Sequence, residues 1–429
     1  MATDKAARRS AIQSQPKPVL PFVALSAFLL GASLVITIEW IGVLYLTEIL
    51  LLFVCFWCTM SEIRNGGFLH REIVITCVLV MAMACAYLVS DIFNGNTAEN
   101  SARGAARSIF LFTDILGLYF VLRINLVLAA HLCAGYAIGQ VLATLPALQQ
   151  SGFSDLWKFG FATPATILTL IVFPRYFRRS LIPCALALLV LGMVHMLLDY
   201  RSLSGVCMNV CALIVYRQSD HILARRGTAV AATLTAVFVL SLIVFAYWST
   251  QDEFGNRRYL GNAARVAALM AAYDGIKAAP WTGYGSWAYE ATFGSLYETA
   301  YFDLTGRRYV EVTGQKFIFG AHSQLLQSWY EAGPVAALFF LYLAVTLIRS
   351  MQVAILRRPL DSLSPLIFEI LLISIWHVFL SPFAGEHRFW IGLSVSIAIL
   401  IRHEFPARIK THRQLASQFP AFASETSRP

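Results

Sequence analysis

The stretch IVITCVLVMAMACAYLVSDIF, residues 73–93, carries no charged side chain before Asp91. As a helix, an apolar run of this length crosses the hydrocarbon core of a bilayer. Lipid offers no hydrogen bonds, so the backbone must satisfy itself, and for a single segment that means a helix. Similar runs lie at 19–38, 40–60, 105–122, 125–145, 159–173, 181–198, 203–216, 228–248, 334–348, 363–380 and 387–401. Over all 429 residues, 58% are hydrophobic and 13% charged, too apolar for a soluble fold of this length. The expected fold is all-α, a polytopic transmembrane helical bundle of about twelve spans with one large loop. The expected organisation is N-terminal spans over 1–248, the large loop with short interfacial helices over 249–331, C-terminal spans over 332–402, and a disordered tail over 403–429.

Charge sets the expected orientation. With the N-terminus inside, 21 of the 33 Lys and Arg residues fall in cytoplasmic segments and 5 in short outer loops, the other 7 lying in the large loop. Positive residues favour the cytoplasmic side, so both termini are expected there and the large loop outside, in the periplasm of a bacterial inner membrane. The net charge of +9 does not point to nucleic acid, because the basic residues flank spans instead of forming a basic face. Residues 1–18 are polar and basic, and the run after them lacks a clear small-residue cleavage site, so the first helix reads as a retained anchor. The eight cysteines all fall in apolar segments, which argues against a disulfide framework. Cys55 and Cys58 have CxxC spacing but no second pair, and helix packing explains them better than a metal.

Several residues could carry chemistry. Arg201, in Asp199-Tyr200-Arg201-Ser202, sits at the junction of two apolar segments, where a charge needs a partner or a task. It reads equally as an ion pair with Asp199 and as a clamp for phosphate oxygens. A helix expected over 262–278 places Arg265, Leu269, Ala272 and Ile276 on one face, with Arg265 at the membrane edge as a snorkelling side chain or an anion contact. Pro280-Trp281-Thr282-Gly283-Tyr284-Gly285 then makes a tight turn. From Gly320 an interfacial amphipathic helix is expected, with Gln324, Gln327, Ser328 and Glu331 as its polar stripe and a break at Gly333-Pro334. His322 falls about 180° from Glu331 on a helical wheel, which argues against a dyad between them. Taken alone it reads better as a structural histidine than as a base. Glu386-His387-Arg388 reads as a further outer cluster or a surface salt bridge.

The order of these features resembles the O-antigen ligase and polysaccharide polymerase superfamily. It runs from Arg201 through Arg265 and Pro280–Gly285 to His322-Ser323-Gln324-Leu325-Leu326 and Glu331-Ala332-Gly333-Pro334, over residues of about 190 to 350. Ser323 stands where the family often has Asn. The resemblance implies metal-independent transfer of a glycan from an undecaprenyl diphosphate carrier to a glycan, lipid or protein acceptor, with no cofactor. It implies Arg201 and Arg265 on the diphosphate and His322 as the base, with Glu331, Arg388 and Tyr284 as candidate supporting residues.

Physical chemistry is consistent with that implication. Diphosphate leaves readily once its developing charge is neutralised, which arginines can do. No HExxH or paired-carboxylate metal motif is present, and no loop carboxylates have a telling spacing for a retaining mechanism. A single base then suffices. The competing classes are a transporter or flippase of lipid-linked polysaccharide, which would use charges near the bilayer midplane such as Glu48, Asp114 and Glu369, and a non-catalytic export subunit.

Overall fold

The computed structural model describes residues 19–39, 42–67, 69–149, 152–177, 180–218, 252–287, 292–309, 320–356, 359–383 and 385–418. It is helical almost throughout. Helix α1 spans Pro21–Ala32 and ends in a 3-10 turn at Ser33–Val35. A two-stranded antiparallel hairpin follows, β1 (Thr37–Glu39) on β2 (Val43–Tyr45). Then come α2 (Leu46–Arg64), α3 (Arg71–Phe93), α4 (Ala98–Ile124) and α5 (Leu128–Thr144). Helix α6 (Phe153–Tyr176) contains a π turn at Trp157–Phe161, and α7 (Ile182–Leu197) and α8 (Arg201–Gln218) complete the first half. The second half holds α9 (Asp252–Ala278), α10 (Gly294–Thr305), α11 (Gln324–Leu356), α12 (Ser364–Leu380) and α13 (His387–Gln418).

Among the described residues, α2, α3, α4, α6, α11 and the segment Leu128–Leu148 are long and apolar enough to cross a membrane. Three shorter apolar helices accompany them, at Pro21–Val35, Ile182–Leu197 and Ser364–Leu380. The run at 228–248 lies outside the described residues. The outward residues of α2, Phe53, Phe56 and Trp57, are 68%, 63% and 76% exposed, which water would penalise and lipid would not. This is a membrane protein.

Two boundaries differ from the sequence reading. The hairpin at 37–45 interrupts the runs read as 19–38 and 40–60, so the second helix starts at Leu46. Glu48 therefore belongs to that helix's first turn, where its Oε2 accepts from the Tyr45 N–H at 2.9 Å, and is not a mid-span charge. At the other end, α13 runs on to Gln418, across most of the segment read as a tail.

The bundle is tightened by small residues. A Cβ on Gly31 would lie 1.9 Å from the Leu132 carbonyl oxygen, and one on Gly135 would lie 1.9 Å from that of Phe28. Helices α1 and α5 thus meet backbone to backbone, as small residues permit in membranes. The large loop has its own core, in which Ala263, Ala267, Ala268, Ala271 and Ala272 of α9 pack against Phe293, Tyr297 and Tyr301 from the α10 side and Tyr330 of α11.

Candidate functional site

The chain leaves α7 through a left-handed residue, Asp199 (φ 60°), a conformation that aspartate tolerates better than most side chains. That turn sets Arg201 at the first position of α8. Its Nε donates to Asp199 Oδ1 at 2.8 Å, and its Nη1 donates to Asn262 Oδ1 at 3.3 Å on α9. The ion pair open from the sequence is therefore formed, and it coexists with a tie to the large loop. Asn262 and Arg265 are three residues apart on α9, hence on adjacent turns of one side.

Arg265 lies at the edge of the face that α9 buries, on the side of Ala272, with its side chain reaching solvent. Its pKa is lowered by desolvation and by the charge of Arg201, against which Asp199 acts. His322 lies just before α11. Burial, and then the charge of Arg265, push its pKa down to about 4. Ser323, beside it, donates from Oγ to the Val378 carbonyl at 3.2 Å, so this corner rests on the end of α12. Arg201, Arg265 and His322, far apart in sequence, share one electrostatic neighbourhood.

Lys158, counted in the sequence only as a topology charge, joins them. It interacts electrostatically with Asp199, Arg265 and Arg201. Its position inside the π turn of α6 fits the frequent occurrence of such bulges at functional sites. Three cations converge, and the carboxylates facing Lys158 with them are Asp199 and Asp155. The sequence signal was a lysine amid apolar neighbours, but the π turn that aims it was not legible.

The other three residues make different contacts. The Glu331 side chain is fully buried, accepting at Oε2 from Tyr87 Oη (2.7 Å) and Arg107 Nη2 (2.5 Å), and at Oε1 from Gln327 Nε2 (3.3 Å). Its carboxylate thus holds α3 and α4 to α11. The stripe of Gln324, Gln327, Ser328 and Glu331 is buried, facing protein and not a membrane surface. Tyr284 stacks on Tyr330 at 4.9 Å. Arg388 is buried against Glu48, with Nε to Oε1 at 2.5 Å and Nη2 to Oε2 at 3.0 Å. It is therefore an internal pair, not a surface salt bridge.

The Pro280–Gly285 turn is docked on the break in α11. Tyr284 N–H donates to the Tyr330 carbonyl at 2.9 Å, and Gly285 N–H to that of Glu331 at 2.8 Å. Ala332 and Gly333 leave helical geometry there, Gly333 with φ 75°, as Gly333-Pro334 suggested. From α3, Ser90 Oγ donates to the Glu331 carbonyl at 2.8 Å, and Asp91 accepts from the Ser286 N–H and Oγ at 2.5 and 2.9 Å. This scaffold anchors the helix that begins just after His322. Among the described residues, no group of three His, Cys, Asp or Glu side chains is arranged to hold a metal ion.

Residues 185–341 match the family model described as O-Antigen ligase. The match runs from within α7 to within α11 and includes Arg201, Arg265, Tyr284, His322 and Glu331. It supports placing the chain in the O-antigen ligase-like superfamily. No curated protein matches the chain.

Proposed function

On the premise of an O-antigen ligase segment in a membrane protein, we propose that this chain transfers a glycan from an undecaprenyl diphosphate carrier to an acceptor hydroxyl at the outer face of the bacterial inner membrane. The acceptor is a glycan, lipid or protein. The single observation that carries this reading is that Arg201 is hydrogen-bonded to Asn262, three residues from Arg265 on α9, with Lys158 and the half-buried His322 within electrostatic reach of Arg265.

A diphosphate is the ligand that such a cation excess fits. Arg201 and Arg265 present planar forks to phosphate oxygens, and Lys158 adds a point charge. In the reaction, His322 takes the proton of the acceptor hydroxyl. The oxygen attacks the anomeric carbon while the bond from that carbon to the diphosphate oxygen breaks, and the electron pair leaves with the diphosphate. Inversion follows from a single displacement. The cations stabilise the leaving charge, the role a metal plays in other phosphate sites. Glu331, Tyr284 and Arg388 act on the scaffold and not on substrate.

The test is a reconstituted transfer assay with undecaprenyl diphosphate glycan, a panel of acceptors and chelator present. Arg201→Ala, Arg265→Ala and His322→Ala should each abolish product while the proteins remain folded. Unchanged transfer in all three variants would remove the site, and no transfer to any acceptor would favour a transport or export-scaffold role.

A further inference from the structure

Beside the cation cluster lies a cavity that the proposed chemistry does not use. It opens between α5, α6, α8, α12 and the start of α13, at the end of the bundle that carries Arg201 and His322. Its polar lining comes from Glu369, His377, Glu386 and His387, and its aromatic lining from Tyr136, Tyr200 and Trp390. Measured at the centres of the waters it could hold, it offers about 80 Å³. At 10–15 Å³ for one water, that is room for about five to eight waters, close to the bulk of one sugar ring.

The lining narrows the ligand further. No Lys or Arg contributes, so a phosphate or an acidic sugar would be desolvated there with no cation in the lining to pair it. The two carboxyl and two imidazole side chains do not form a metal-binding group. The walls are too polar for an acyl chain. A neutral polyol fits: carboxylates accept from its hydroxyls, imidazoles and phenols donate or accept, and Tyr136 and Trp390, packed edge to face at 5.1 Å, supply an aromatic wall.

An independent observation points the same way. Glu369 is 3% exposed within the apolar helix α12, and its Oε2 has no hydrogen-bond partner among the described residues. An unpartnered carboxyl oxygen at such a depth calls for a ligand or a function. The cavity's position also suits a donor. Tyr200 on its wall immediately precedes Arg201, and His377 on its wall immediately precedes Val378, whose carbonyl holds Ser323 next to His322.

Resting on the diphosphate reading above, we infer that this cavity seats the sugar ring joined directly to the donor's diphosphate, a neutral or N-acetylated hexose. The ring is then held between the cations that take its leaving group and the base that activates its attacker.

The test uses the full chain in detergent, with saturation-transfer NMR against glucose, galactose, N-acetylglucosamine, N-acetylgalactosamine and glucuronic acid. Pyrophosphate binding is followed separately by phosphorus line broadening. At least one neutral sugar should give a saturable signal and glucuronic acid none. Glu369→Gln and Ile373→Trp, the latter only filling the cavity, should weaken the sugar about tenfold and leave pyrophosphate unchanged. Arg201→Ala should do the reverse. No neutral-sugar signal from the wild type, or one that persists in folded Ile373→Trp, overturns the inference even where pyrophosphate binds. Sugar binding without pyrophosphate binding removes the cation site and leaves the cavity's role standing. Melting curves identify any variant that fails to fold, and the wild-type measurement decides without it.

Discussion

Arg107 and Glu331 stand 224 positions apart and meet at 2.5 Å, their side chains 4% and 0% exposed. The arginine also lies over the rings of Tyr87, Phe383 and Trp287, at 4.7, 5.1 and 5.6 Å. One contact therefore binds α3, α4, the loop after α9, the loop after α12, and the helix that begins beside His322. Removing one partner leaves a buried charge, at a cost of about 3–5 kcal/mol. Glu331→Ala and Arg107→Met should thus lower the yield of folded protein and its melting temperature in detergent. A Glu331→Ala protein that melts like wild type but transfers no glycan would show instead that this carboxylate acts in the chemistry.

Gly333 is the second structural pivot. With φ at 75°, a Cβ there would sit 2.1 Å from the Trp281 carbonyl oxygen, so Gly333→Ala must both strain the backbone and displace the docked turn. The backbone strain alone costs about 1–3 kcal/mol. Gly205, inside α8, has nothing within 4 Å of its Cβ position. Gly205→Ala should be neutral or raise stability by about 0.5–1 kcal/mol. Melting temperatures of the two variants should move in opposite directions or differ plainly in size; equal behaviour would refute the docking argument.

What the sequence disclosed follows from its physics. Apolar runs mark helices because lipid leaves the backbone no other partner, so α3, α4 and α12 were legible. The Gly333-Pro334 break was legible because proline and glycine act locally. The hairpin at 37–45 was hidden inside apolar runs, where strand and helix share the same residues. The stripe on α11 was seen, but its direction was not: a polar face can meet water or another helix's polar groups, and composition does not distinguish them. Arg107 is one of the five cations that the charge count assigns to short outer loops, and its partner, Glu331, lies too distant in sequence to reveal the pair. Arg201, Arg265 and His322 were named through a resemblance of order and spacing. Their common neighbourhood, and Lys158 within it, emerged only from the tertiary arrangement that brings α9 to Arg201 at the start of α8.

Lys158 offers a test of the cation cluster that leaves the base untouched. A charged hydrogen bond to a phosphate oxygen contributes about 1.5–3 kcal/mol, so Lys158→Met should raise the donor KM about tenfold or more with kcat changed less. Lys158→Arg keeps the charge and should recover most of the loss. Steady-state kinetics at varied donor concentration separate the two parameters. A KM unchanged in Lys158→Met would exclude the lysine from the diphosphate site.

The histidine makes the sharpest pH prediction. Partial burial, and then the charge of Arg265, push the pKa of His322 down to about 4, so in the free protein it stays neutral, and able to accept a proton, down to that pH. Above it the base is competent; below it protonation removes activity. The acid limb of kcat/KM, which reports the free enzyme, should therefore lie near 4 and not near the ordinary histidine value of about 6.5. A bound diphosphate cancels the charge of Arg265 and favours the imidazolium, so the acid limb of kcat should lie higher than that of kcat/KM. Arg265→Gln should raise the kcat/KM limb for the same reason. Rate profiles that extend about one unit below pH 4 check both shifts, and a kcat limb below that of kcat/KM would exclude His322 as the base facing the diphosphate.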